Sequence, residues 1–176
     1  MHIFLQGERG IGKSTVIRKT LEMLTEQVNI TLGGFFTWNG GNADPNIYIR
    51  AARTGAESEI FKVAGYDASV QRMVCDTQVF ETIGTRILQE SAGADMIIMD
   101  ELGYLESSAE VFKKNVLDTL AENTPVFGVL RLGDVPWHRE VKNNPQVTIY
   151  DVEEKNRSAL PQVLSGIIRV KLQQMR

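Results

Sequence analysis

A glycine-rich segment near the start of the chain has the residue types and the spacing that hold phosphate groups. Gly7, Gly12, Lys13 and Ser14 follow the pattern G-x-x-x-x-G-K-[ST]. Glycines allow successive backbone N–H groups to point at one anion, and a helix that follows adds the positive end of its dipole. We therefore predict that this segment is a phosphate loop that binds a nucleoside triphosphate.

Two side chains of the loop have separate predicted roles. Lys13 is expected to reach the β- and γ-phosphates as a catalytic cation, and the Ser14 hydroxyl is expected to bind Mg²⁺. A glycine-rich turn with an exposed lysine is the alternative, which the strand before the loop and the helix after it disfavour. The predicted nucleotide-binding residues of the loop are Gly7, Glu8, Arg9, Gly10, Ile11, Gly12, Lys13, Ser14 and Thr15.

A second candidate for chemistry is a pair of carboxylates, Asp100 and Glu101, that follows the apolar run 96–99. Ligands of open α/β sheets bind at the carboxyl ends of the strands, so Asp100 is expected to bind Mg²⁺ beside the phosphate loop. Adjacent residues of a strand point to opposite faces, so Glu101 is predicted to orient the attacking water. A strand that ends in a charged turn is the alternative. The phosphate loop upstream favours triphosphate hydrolysis.

Apolar runs typical of strands alternate with amphipathic segments, which indicates an α/β fold with a parallel sheet covered by helices on both faces. We expect a hairpin between residues 38 and 66, from the runs 47–49 and 60–63. Capping boxes are predicted at Ser107 and at Asp151, and Pro161 is unfavourable inside the closing helix. The other predicted elements are strands 2–6, 30–37, 95–99, 126–130 and 147–150, and helices 15–24, 78–91 and 107–123.

Length and composition limit the classes of protein to consider. A chain of 176 residues is expected to form one domain, 1–176, with a substantial core. The net charge of −3 and the absence of a long basic run do not favour nucleic acid as a partner. Cys75 is the single cysteine, predicted to be a buried, reduced thiol. No signal-peptide pattern and no membrane-spanning run is seen, so we expect a cytoplasmic protein. The sequence leaves a protein partner unknown.

The chain resembles the THEP-type, or cancer-related, nucleoside-triphosphatases over nearly its whole length. The resemblance rests on the phosphate loop, on Gly34-Phe35-Phe36-Thr37, on the segment from Ile98 to Glu106 and on Asn156-Arg157. It implies a three-layer, RecA-like P-loop NTPase fold with a mostly parallel central sheet. It also implies Mg²⁺-dependent hydrolysis of ATP, GTP and other nucleotides to diphosphate and phosphate. The further nucleotide-binding residues that it implies are Asp100, Glu101, Gly103, Glu106, Asn156 and Arg157.

The chain departs from that family pattern in three places. Trp38-Asn39 stands where relatives tend to have an acidic residue, and the stretch from 40 to 73 does not match. Val129 aligns where many relatives have a small hydroxyl residue. These departures leave the base preference and the turnover rate open.

Several alternative functions and roles fit the same residues. One function is a small kinase that uses the loop 131–139 as a lid. A GTP switch would fit Asp100 to Gly103 but lacks a guanine-reading N-K-x-D motif, and a third function is a regulatory nucleotide-binding module. Arg131, His138 and Arg139 are either near the transferred phosphoryl or solvated loop residues. Trp38 and Trp137 either stack on a base or cover edges of the core. Glu106 either contacts the nucleotide, as the resemblance implies, or is a helix N-terminal carboxylate. Asn156 either contacts the nucleotide base, as the resemblance implies, or satisfies local backbone groups.

Overall fold

A computed structural model describes residues 1–53 and 58–175. Its strands form one eight-stranded sheet in the order β5-β4-β3-β2-β6-β7-β1-β8. The strands are β1 (His2–Gln6), β2 (Leu32–Asn39), β3 (Ile47–Ala51), β4 (Phe61–Asp67), β5 (Arg72–Cys75), β6 (Met96–Leu102), β7 (Val126–Leu130) and β8 (Val147–Asp151). The helices are α1 (Lys13–Thr25), α2 (Thr77–Val79), α3 (Thr85–Gln89), α4 (Glu110–Ala121), α5 (His138–Lys142) and α6 (Leu160–Gln174), with a π-helical segment (Phe80–Gly84) between α2 and α3.

The sheet has a parallel part and an antiparallel extension. Strands β2, β6, β7, β1 and β8 pair in parallel, whereas β2, β3, β4 and β5 pair antiparallel. Every residue of β1 and β7 is buried. Strands covered on both faces read as continuous apolar runs, which is why these segments were recognisable in the sequence.

Helices cover both faces of the sheet, as predicted. One apolar cluster packs α1 and α6 against β1, β6 and β7, and it includes Ile17, Ile98 and Leu164. The other packs α3, α4 and α5 against the opposite face, around Phe35 and Phe112. The α/β architecture with a mostly parallel centre is confirmed.

The predicted hairpin is confirmed and is longer than expected, because β5 adds a further strand. Residues 54–57, within the predicted hairpin region, lie outside the described residues. The helix predicted over 78–91 forms as three joined pieces from Thr77 to Gln89. Strand β6 extends to Leu102, three residues beyond the prediction.

Both predicted capping boxes are wrong. Helix α4 begins at Glu110 after Ala109, whose side chain makes no cap, because the chain turns between Tyr104 and Ser107 first. Asp151 does not cap α6 because it continues β8, paired with Gln6 of β1.

Pro161 is compatible with α6. The helix begins at Leu160, so the proline lies in its first turn, where a backbone N–H would have no intrahelical partner. Among the described residues, no helix is both long and apolar enough to cross a membrane.

Candidate functional site

The glycine-rich loop joins the end of β1 to the start of α1. Gly10 and Gly12 have φ angles of 80° and 109°, a region that favours glycine because a Cβ atom would be strained there. Gly12 is the N-cap residue of α1, and no side chain forms a capping hydrogen bond at this end of the helix. The first N–H groups of a helix have no intrahelical partners, so those of α1 are available to an anion in the loop.

Lys13 lies across this loop. Its Nζ atom donates hydrogen bonds to the carbonyl oxygens of Gly7 (2.8 Å) and Glu8 (2.9 Å). Burial lowers the pKa of Lys13, while the nearby carboxylates of Glu101 and Asp100 act in the opposite direction. The ammonium is therefore held at the loop, beside both candidate carboxylates.

Ser14 and Asp100 meet at the base of the loop although they are far apart in the chain. The Ser14 hydroxyl donates to Asp100 Oδ1 at 3.3 Å, and Asp100 is only 4% exposed. Burial raises the pKa of Asp100 to about 7, against the opposing effect of the Ser14 hydrogen bond. This contact agrees with the prediction from the sequence that Asp100 lies beside the phosphate loop.

The oxygen atoms of Ser14 and Asp100 are of the type that Mg²⁺ prefers, and this ion usually keeps several waters beside one or two protein ligands. Within the part of the chain that the structure describes, no group of three or more His, Cys, Asp or Glu residues could hold a metal. A metal ion at Ser14 and Asp100 would therefore take its remaining ligands from phosphate and water. The donor set fits Mg²⁺ bound with a nucleotide.

Glu101 has different surroundings from Asp100. Its backbone N–H donates to Thr37 Oγ1 at 3.0 Å, which ties the end of β6 to β2. Its carboxylate accepts a hydrogen bond from Arg131 Nη1 at 3.4 Å, and 34% of its side chain is exposed. The guanidinium of Arg131 also lies 4.6 Å from the ring centroid of Tyr104. Glu101 is thus positioned but open to solvent.

Of the three candidate residues in the loop after β7, only Arg131 faces the site. His138 is buried, with its ring edge-on to Trp137. Arg139 is exposed and contacts Asp134 at 3.5 Å. Trp137 is also buried and donates its indole N–H to the carbonyl of Gly103, so the reading of this side chain as core covering is correct.

Glu106 is buried and accepts a hydrogen bond from the backbone N–H of Gly103. It therefore stabilises the turn that follows β6. Burial raises its pKa to about 7. The alternative of a helix N-terminal carboxylate is wrong because α4 begins only at Glu110.

Asn156 and Arg157 lie in the turn before α6. The Asn156 side chain accepts a hydrogen bond from the N–H of Glu153 and donates one to the carbonyl of Asp151, both at 2.8 Å. Arg157 donates to the carbonyl of Ile11 in the phosphate loop at 3.3 Å. Asn156 thus satisfies local backbone groups, and Arg157 supports the loop. Their contact with a nucleotide stays a prediction.

Cys75 is half-buried rather than buried. Its thiol donates to the carbonyl of Leu105 at 3.2 Å, and burial raises its pKa to about 11. It is therefore a protonated thiol at neutral pH.

A cavity of about 1360 Å³ connects the phosphate loop with the antiparallel extension of the sheet. Lys13, Asp100 and Glu101 line one part of it, and Trp38 and Arg50 line another. No sequence pattern predicts Arg50 as a site residue, because only the pairing of β3 with β2 brings it to the cavity. Base stacking is one of the two roles expected for Trp38, but the sequence does not predict that it lies on the same face of the sheet as Asp100.

The family model described as NTPase matches residues 2–165 of the chain. "Nucleoside-triphosphatase THEP1" of Methanosarcina barkeri is 29% identical over 173 residues, which are 96% of this chain and 98% of the relative. The human "Cancer-related nucleoside-triphosphatase" is 25% identical over 187 residues, 94% of this chain and 96% of the relative.

Two solved structures share the fold. The crystal structure of THEP1 from Aquifex aeolicus has a TM-score of 0.75 at 22% identity, covering 96% of this chain and 99% of that one. The solution structure of a human cancer-related nucleoside triphosphatase has a TM-score of 0.72, also at 22% identity, covering 94% and 96%. This likeness confirms the predicted fold.

Proposed function

The chain belongs to the NTPase family, which makes it a hydrolase of nucleoside triphosphates, and we propose that the reaction requires Mg²⁺ and accepts ATP, GTP and other nucleotides. The contact between Ser14 and Asp100 at the base of the phosphate loop carries this proposal. It brings together two oxygen atoms of the kind that Mg²⁺ prefers, at the loop where the phosphates would bind.

The loop would bind the phosphates through its backbone N–H groups, and Lys13 would neutralise charge on the β- and γ-phosphates. Mg²⁺, when bound with the nucleotide, supplies further charge neutralisation. Ser14 and Asp100 would hold it.

Glu101 would orient a water molecule and accept its proton as the water oxygen bonds to the γ-phosphorus. The bond from that phosphorus to the bridging oxygen then breaks, and the nucleoside diphosphate leaves. Arg131, hydrogen-bonded to Glu101, would stabilise charge on the transferred phosphoryl.

Broad base acceptance is proposed because the residues of the glycine-rich loop, with Asp100, would contact the phosphates, which all nucleoside triphosphates share. Glu106, Asn156 and Arg157 are kept as proposed contacts of the nucleotide, Glu106 from the cavity and the other two from the turn beside the loop. We also propose a cytoplasmic location, where nucleoside triphosphates are available.

The proposal is tested by measuring phosphate release from ATP, GTP, CTP and UTP, each with and without Mg²⁺. We expect release with all four nucleotides only when Mg²⁺ is present. No release from any nucleotide, or equal release without Mg²⁺, would contradict the proposal.

Calorimetry on two lysine variants tests the binding site separately. Lys13→Ala is expected to weaken triphosphate binding at least ~10-fold, about 1.4 kcal/mol, because the variant lacks the cation at the loop. Lys19→Ala changes an exposed lysine of α1 outside the cavity and should bind as the wild type does. Equal affinities of the two variants would remove Lys13 from the site.

A further inference from the structure

The cavity extends beyond the phosphate loop to side chains on β2 and β3 that hydrolysis does not use. Phe36, Trp38 and Arg50 line this part of the cavity. Together with Tyr48, which is paired with Trp38, they form a surface that we name the β2–β3 platform. Phe36 pairs with Arg50 and Trp38 pairs with Tyr48 in the antiparallel register. Directly paired residues share one face of a sheet, so the four side chains lie on the same face.

The platform combines aromatic surface with one cation. The guanidinium carbon of Arg50 lies 5.6 Å from the ring centroid of Phe36 and 5.9 Å from that of Trp38. The rings of Trp38 and Tyr48 stack, with centroids 5.7 Å apart. Cation–π contacts of this kind position an arginine without neutralising its charge.

The arginines beyond the phosphate loop that line the cavity differ in their partners. Arg18 is paired with Glu22 at 2.5 Å and Arg131 with Glu101 at 3.4 Å. Within residues 1–53 and 58–175, no carboxylate forms an ion pair with Arg50. A guanidinium presents donors in a planar fork that matches a carboxylate or a phosphate. Arg50 is therefore a candidate anion ligand of the cavity.

The sheet register fixes how far this cation is from the predicted metal site. Phe36 pairs with Arg50 on one side and with Asp100 on the other. Adjacent strands are ~4.8 Å apart, so the Cα atoms of Arg50 and Asp100 are separated by roughly 10 Å. A small molecule held by Arg50 could reach the γ-phosphate from that distance.

The platform also lies away from Asn156-Arg157, the segment for which the family resemblance implies a role at the nucleotide base. Asn156 and Arg157 follow β8, at the edge of the sheet on the far side of β1. The platform is on β2 and β3, on the other side of β6. A ligand on the platform would therefore approach the phosphates from the γ end.

We propose that the β2–β3 platform binds a second substrate, an organic anion with a planar body and a carboxylate or phosphate monoester, which accepts the γ-phosphoryl group in place of water. This rests on the proposed function, because the γ-phosphate must lie beside Asp100. A hydroxyl or phosphate oxygen of the acceptor bonds to the γ-phosphorus as the bond to the bridging oxygen breaks. The nucleoside diphosphate leaves, and a proton on an acceptor hydroxyl passes to Glu101. Hydrolysis is then the reaction in the absence of acceptor.

The binding test uses the full chain loaded with Mg²⁺ and a non-hydrolysable ATP analogue, so that probes cannot occupy the phosphate loop. CMP, UMP and 4-hydroxybenzoate are titrated by calorimetry. We expect at least one probe to bind, and Arg50→Gln to weaken that binding at least 10-fold. Arg50→Lys, which keeps the charge, should recover part of the affinity. Arg72→Gln, an exposed arginine of β5 outside the cavity, should bind the probe as the wild type does.

The transfer test replaces the analogue with ATP and separates the products by chromatography. A phosphorylated probe should form while less free phosphate is released. CDP and UDP are distinguishable from the ADP that hydrolysis produces. No binding by any probe, equal loss in the Arg50 and Arg72 variants, or binding without transfer would overturn the inference. Phosphate release without a probe tests the proposed function independently.

Discussion

At the scale of residues, Asp100 and Glu101 are adjacent in the chain but differ in their environments. Asp100 is buried against Ser14, whereas Glu101 is partly exposed and contacts Arg131. A carboxylate that faces the base of the phosphate loop suits a metal ligand, and one open to water suits a base that orients the nucleophile. Environment rather than residue type separates the two proposed roles.

Glu101→Gln is expected to keep triphosphate binding and to slow hydrolysis at least ~100-fold, about 2.7 kcal/mol of barrier. The amide keeps the shape of the side chain but does not accept the proton of the attacking water. Single-turnover phosphate release and calorimetry measure the two effects separately. Glu110→Gln, an exposed change on α4, is the control. Full turnover by Glu101→Gln would remove Glu101 from this role.

The raised pKa of Asp100, about 7, predicts a pH dependence of metal binding. Below this pKa the carboxyl is mostly protonated, and a metal ligand must be deprotonated. The Mg²⁺ concentration needed for half-maximal nucleotide binding should therefore rise about 10-fold for each pH unit below 7. Fluorescent nucleotide titrations at pH 8, 7 and 6 measure it.

Asp100→Asn is the control for this dependence. The variant should bind Mg²⁺ more weakly, with a smaller change between pH 8 and 6, because no carboxyl titrates at that position. The same pH dependence in the wild type and in the variant would assign the effect to the nucleotide rather than to Asp100.

At the scale of elements, strand β2 connects the parallel part of the sheet with the antiparallel extension. It pairs with β6 on one side and β3 on the other, and its Thr37 accepts the N–H of Glu101. This close approach depends on Gly34, which has a φ of 84° and where a Cβ atom would lie 1.9 Å from the carbonyl oxygen of Ile98. The position of β2 therefore determines the position of Glu101.

Gly34→Ala is expected to lower the free energy of unfolding by about 3 kcal/mol or more, from backbone strain and the clash with β6. Urea denaturation measures the change. Gly166→Ala is the matched control, because this glycine lies in α6 with no atom within 4 Å of an added Cβ. That variant should gain about 0.5–1 kcal/mol. Equal midpoints for both variants would show that β2 tolerates the side chain.

At the scale of the whole molecule, buried ionisable groups make stability depend on pH. His2 is 0% and His138 is 1% exposed, and burial lowers the pKa of each to about 4. The unfolded chain binds protons at these residues below about pH 6.5, whereas the folded protein binds them only near pH 4. Each histidine therefore contributes stability above pH 6.5 that is lost as the pH falls toward 4.

Asp100 and Glu106 act in the opposite direction, because their pKa values are raised to about 7 in the folded protein. The folded protein binds their protons at a higher pH than the unfolded chain does. Their protonation therefore favours the folded state as the pH falls. A single-site variant is needed to separate the histidines from these carboxyls.

His138→Phe should reduce the loss of stability on acidification. Between pH 7 and pH 5 we expect the free energy of unfolding of the variant to fall by about 2 kcal/mol less than that of the wild type, because the wild-type histidine stays neutral when buried. Guanidinium unfolding at both pH values measures it. An identical fall in both proteins would show that His138 does not contribute to the pH dependence.

Local sequence patterns were enough to predict the glycine-rich loop between β1 and α1, the carboxylate pair at the end of β6 and the order of most strands and helices. These features depend on local spacing: Gly12 and Lys13 are adjacent, and the apolar run before Asp100 is continuous. The two capping boxes, also read from local spacing, were wrong because the path of the backbone into a helix depends on what precedes it in the fold. Asp151 pairs with Gln6 of β1 and therefore belongs to β8 rather than to the start of α6.

Which distant residues share the cavity could not be predicted from local patterns in the chain. The contact of Arg131 with Glu101 and the row of Arg50, Phe36 and Asp100 across three strands depend on strand order and register. Register is set by the packing of whole faces of the sheet, and a shift of one residue would turn Arg50 away from the cavity. No local pattern in the chain carries that information.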